Sequence, residues 1–132
     1  MDRIPVTQSG PTAYRKRTFV GVFLQAYLSI RRVPIAASAP FYGLIPWETA
    51  KPDWSKVAAK IEGHYAADDH FFTPEAAEAL QTELRSLGKD ATLLVYPEVD
   101  HAFFNDTRPE VYDERAATTA WLRVLDLFRT EL

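Results

Sequence analysis

The residues best equipped for chemistry are Asp69 and His101, each just past an apolar run of strand length. Asp69 lies in Ala67-Asp68-Asp69-His70-Phe71-Phe72-Thr73-Pro74, which follows Lys60 to Ala66. His101 lies in Glu98-Val99-Asp100-His101-Ala102-Phe103-Phe104, which follows Thr92 to Tyr96. In an open parallel sheet, ligands gather beyond the C-terminal strand ends, so neighbouring strands would bring both groups to one edge. A carboxylate there can hold one imidazole nitrogen, fix the tautomer and stabilise the ring once it takes a proton. The plainer reading makes Asp69 a cap for the following turn and His101 an ordinary loop histidine. Matched strand-end positions and the order Asp before His favour the pair. His64, Asp68, Asp69, His70 and His101 also offer metal-ligating atoms, but their spacing fits no common zinc pattern. No metal and no cofactor are expected.

The elements that must position these groups alternate. Thr18-Phe19-Val20-Gly21-Val22-Phe23-Leu24 is apolar and β-branched, as a strand requires, and Gln25 to Ile30 could continue as a short helix before Pro34. Ile35 to Tyr42 is a second apolar run closed by Gly43, and Leu44 to Asp53, with Pro46 and Pro52, reads as a loop. Trp54 to Ala59 has room for a helical turn or two, and Lys60 to Ala66 is a weaker strand candidate. Thr73-Pro74-Glu75 starts a helix, with Thr at the N-cap, Pro at the first helical position and an acid facing the helix dipole. Ala76, Leu80, Leu84 and Leu87 follow at helical spacing, and Gly88 supplies the stop. Thr92 to Tyr96 is a strand ended by Pro97. Thr107 and Glu110 have capping-box spacing, which predicts a final helix opening there with Ala117, Trp121, Leu125 and Phe128 on its apolar face. Strands alternating with helices predict an α/β fold with a parallel sheet covered on both faces.

Composition narrows the field. At 132 residues with 47% hydrophobic and 25% charged, the chain can build one core but not two. Residues 1–16 are polar and broken by Pro5, Gly10 and Pro11, so the expected division is an irregular arm over 1–16 and one domain over 17–132. A net charge of −3 argues against a nucleic-acid partner, which needs a basic patch. With no cysteine, disulfides, zinc-thiolate sites and cysteine nucleophiles are excluded. No stretch reaches membrane-span length and the N-terminus lacks the apolar core of a signal peptide, so a cytoplasmic protein with no membrane partner is expected.

The segments PFYG and YAADDHFFTPEAAEALQTELRSLGKDATLLVYPEVDHAFFN resemble the C-terminal motifs of the dienelactone hydrolase family. In that family an acid sits in a D-H-F/x-P context and a histidine in Y-P-x-x-x-H-x-F. The resemblance spans roughly residues 18–132 and is specific from Phe41 onward. It implies a truncated α/β-hydrolase-like parallel sheet of about four strands with helices on both faces. Asp69 then matches the triad acid and His101 the triad base. It further implies hydrolysis of small esters or lactones, with Arg108 able to steer an anionic substrate or simply to stand exposed.

The family's nucleophile elbow, G-x-C-x-G-G or similar, aligns with Gly21-Val22-Phe23-Leu24-Gln25-Ala26. Phe23 falls at the nucleophile, and Gln25 and Ala26 replace the glycines. A phenyl ring cannot attack a carbonyl, and the tight elbow needs small neighbours. Ser29 and Ser38 are hydroxyls outside any G-x-S-x-G context. Two expectations follow. One is a hydrolase-family protein that keeps acid and base but is inactive alone for want of a nucleophile. The alternative is a non-catalytic dimerisation or ligand-binding module. A homodimer is expected in either case, because the strand Thr18 to Phe23 would leave unpaired backbone groups along an apolar edge.

Overall fold

The computed structural model describes residues 35–43 and 52–132. Three strands form one parallel sheet in the order β1 (Ala37–Ser38), β2 (Lys60–Ala66), β3 (Ala91–Tyr96). The expected strand at Thr18 to Leu24, the arm over 1–16 and Phe23 lie outside the described residues. Lys60 to Ala66, a weaker strand candidate in the sequence, is the central one of the three described strands. It pairs with β3 over six positions, from Ile61↔Ala91 to Ala66↔Tyr96. An isolated bridge, Phe41↔His64, carries the β1 side of the ladder onward to the loop after β1.

Side chains alternate across a strand, so the sheet builds two cores. Ile61 and Tyr65 of β2, with Ala91 and Leu93 of β3, pack with Ala77, Leu80 and Leu84 of helix α1 (Pro74–Ser86). On the other face Ala66 and Tyr96 join Ala37, Ala39 and Phe41 under helix α2 (Glu114–Glu131), with Phe103 at the centre. Gly63 allows the close fit on the α1 side, because a Cβ there would stand 2.6 Å from Leu93 Cδ2. Helix α1 begins where the sequence predicts: Thr73 accepts a hydrogen bond from Ala76 N, and Pro74 opens the first turn. Gly88, at φ 72°, closes it in the left-handed region. Its buried face is Ala77, Leu80 and Leu84, whereas Ala76 and Leu87 are exposed.

Helix α2 departs from expectation twice. It starts after Asp113, whose carboxylate accepts from Ala116 N at 2.7 Å, and not at Thr107. Both members of the expected capping box are engaged elsewhere: the Thr107 hydroxyl donates to Asn105 Oδ1, and Glu110 pairs with Arg108. The buried face is Ala116, Ala117, Ala120, Val124 and Leu127, leaving Trp121 38% exposed. Trp121 packs instead against Phe104, with ring centroids 6.3 Å apart. Among the described residues, no helix is long and apolar enough to cross a membrane.

Candidate functional site

The β2–β3 ladder does not stop at the strand ends. Ala67 N donates to Tyr96 O at 2.9 Å and Asp68 N to Val99 O at 3.0 Å, so the two loops leave the sheet side by side. This draws Asp69 to His101. Asp69 Oδ2 accepts from His101 Nδ1 at 2.6 Å. The other oxygen, Oδ1, accepts from Phe71 N at 2.8 Å and Phe72 N at 2.9 Å. The Asp69 side chain is fully buried, and these three donors meet the need of a buried carboxyl group for partners. Both sequence readings of Asp69 therefore hold at once: it braces its own turn and it grips the histidine.

The His101 side chain is 36% exposed. A carboxylate is an acceptor, so Nδ1 carries the proton in the neutral ring and the lone pair sits on Nε2. Around the ring stand Tyr42, Phe71 and Phe72, with centroids at 5.0, 6.1 and 5.8 Å. Phe103 anchors the loop beneath, wholly buried and in contact with Phe41, Tyr42 and Tyr96. The Tyr42 hydroxyl accepts from Phe104 N at 2.7 Å, tying the loop after β1 to the histidine loop. Burial pushes the Tyr42 phenol well above its ordinary range, so it stays neutral.

Among the described residues, three non-glycine residues have positive φ: Tyr42 at 51°, Glu98 at 57° and Ala102 at 70°. All lie in the loops that meet at His101, where the left-handed backbone costs on the order of 1 kcal/mol each and clusters at functional sites. Sequence reasoning missed Tyr42; the PFYG motif was its only signal.

The remaining candidates lie apart from the pair. His70 and Asp68 are exposed, and Arg108 is bound to Glu110 at 2.9 Å. His64 is buried against Phe41, with Nδ1 3.0 Å from the Tyr96 hydroxyl. Burial, helped by the charge of Arg123, lowers its pKa to about 4. It is neutral and structural. Ser38 is buried, and its hydroxyl has no hydrogen-bond partner among the described residues. Among the described residues, no group of three or more His, Cys, Asp or Glu is arranged to hold a metal ion.

A sequence model of the dienelactone hydrolase family matches residues 21–132. The chain belongs to this family. A Synechocystis protein provisionally named carboxymethylenebutenolidase is 32% identical over 113 residues, covering 80% of this chain and 46% of its own. A Yersinia pestis protein of the same provisional name is 38% identical over 72 residues, 54% of this chain and 27% of its own. Among solved structures, a Klebsiella pneumoniae protein provisionally named dienelactone hydrolase superposes with a TM-score of 0.69 at 28% identity, covering 82% of this chain and 46% of that one. The chain thus spans less than half the length of these relatives. Family and fold agree with the resemblance read from the Asp69 and His101 motifs.

Proposed function

We propose that this chain carries the acid and base of a dienelactone-hydrolase-type site without its nucleophile, and so does not by itself hydrolyse small esters or lactones by the family's route. Asp69 is the orienting acid and His101 the base. The observation that carries this reading is the 2.6 Å contact between His101 Nδ1 and Asp69 Oδ2 at a strand-end rim, which leaves Nε2 to take a proton from an attacking group. What argues against turnover is Phe23 at the position of that group. Acid, base, nucleophile and oxyanion donors act as a unit, and a lone pair of them gives little acyl transfer. Hydrolysis of 4-nitrophenyl acetate by the purified chain and by its His101→Ala variant tests this directly. Equal rates are expected, and a burst that His101→Ala abolishes would overturn the reading and direct attention to Ser29 and Ser38.

A second reading, a homodimer acting as a binding module, has support from the apolar, β-branched run Thr18 to Phe23, whose residue types suit strand pairing between copies. Light scattering at micromolar concentration is expected to give a dimer; a folded monomer would refute it.

A further inference from the structure

One large apolar side chain stands far out of the core beside the base. Phe71 is 83% exposed, the most exposed of the large hydrophobic residues described, and its ring meets His101 edge-on at 6.1 Å. It is not a loose tip. Its backbone N–H is bonded to Asp69 Oδ1, the carboxylate that also grips His101, so a single buried group sets both the imidazole and the position from which Phe71 projects. Tyr42 and Phe72 add two more rings around His101, and the Tyr42 phenol stays neutral. The polar surroundings are acidic: exposed Asp68 precedes Asp69, and exposed Asp100 precedes His101. Arg108, the cation that could have drawn in an anion, is engaged by Glu110.

We propose that the rim around His101 binds uncharged aromatic esters, with the aryl group against Phe71, and discriminates against carboxylate-bearing ones. This rests on the reading of Asp69 and His101 as the acid–base pair and names the ligand class of that site. An aryl ring laid on Phe71 removes exposed apolar surface from water and gains an edge-to-face or offset contact. A carboxylate brought to the same place comes near the exposed carboxylates of Asp68 and Asp100.

Binding tests this without requiring turnover. Protein resonances of His101 and Phe71 are followed by NMR while 4-fluorobenzamide, a stable neutral stand-in for an aryl ester, or 4-fluorobenzoate is added. The amide is expected to shift both sets of signals and to bind about tenfold more tightly than the benzoate. Phe71→Ala, at an exposed position that leaves the fold intact, should weaken the amide about fivefold, and Phe71→Leu should weaken it less. Equal binding of the two probes, no effect of Phe71→Ala, or no binding of either probe would each overturn the proposal. Failure of the acid–base reading shows separately, in the ligand-free chain, as a His101 imidazole with no hydrogen-bonded Nδ1 proton in its 15N spectrum.

Discussion

His64 and His101 belong to the two segments that form one rim of the sheet, yet their surroundings make them different chemical objects. His64, on β2, is sealed between Phe41 and the Tyr96 hydroxyl and is held neutral, with its pKa lowered to about 4. Its Nε2 has no hydrogen-bond partner among the described residues, and Glu62 Oε1 lies 4.0 Å away. His101, beyond β3, is anchored by a buried carboxylate on one nitrogen and left partly open to solvent on the other side. Type and position in sequence do not separate them. A histidine that exchanges protons needs a fixed partner and an accessible face, whereas a core histidine needs only filling and one polar contact.

The largest effect that can break this comparison is on stability. His64→Ala removes a fully buried ring and strands the Tyr96 hydroxyl, and should cost about 3 kcal/mol. His101→Ala, at the rim, should cost about 1 kcal/mol, from the lost bond to Asp69. Urea denaturation of both variants checks this, and equal losses would erase the distinction.

A similar loss should appear with pH. Unfolded His64 takes a proton near its ordinary pKa of about 6.5, while the folded residue does not until about 4. Between those values the unfolded state binds more protons, so stability falls as pH falls through the window, by about 3 kcal/mol when complete. Urea midpoints at pH 7 and pH 4 measure it, and His64→Gln should flatten the slope. At the alkaline end, burial raises Tyr96 to about 12, so stability from this same pair is lost as pH climbs from 10 through 12.

The smallest effect sharpens the His101 side. Tyr42→Phe removes the acceptor of Phe104 N and should cost about 1 kcal/mol by the same denaturation measurement.

Much of this was legible in the sequence where local rules act alone. Thr73, Pro74 and Gly88 mark the ends of α1 because capping chemistry depends on a few adjacent residues. The Asp69–His101 pair was legible because strand-end placement is a consequence of parallel topology. Elsewhere competition between partners decided the outcome, and no spacing rule reveals it. Thr107 and Glu110 had the pattern of a cap but were claimed by Asn105 and Arg108, so Asp113 took the role. On α2, hydrophobicity pointed to Trp121, but the face packed into the core is Ala116, Ala120 and Val124, and the indole lies against Phe104. The double use of Asp69 and the bracing of the histidine loop by Tyr42 depend on tertiary contacts that a linear pattern does not encode.

We propose that the acid–base pair of Asp69 and His101 has no nucleophile to activate. Its most direct test is covalent trapping, because an activated hydroxyl beside a histidine is captured by a phosphonyl fluoride irrespective of the natural substrate. Intact mass spectrometry of the chain after such treatment should show no adduct, with or without the His101→Ala substitution. A stoichiometric adduct that disappears in His101→Ala would reveal a working nucleophile and contradict the account.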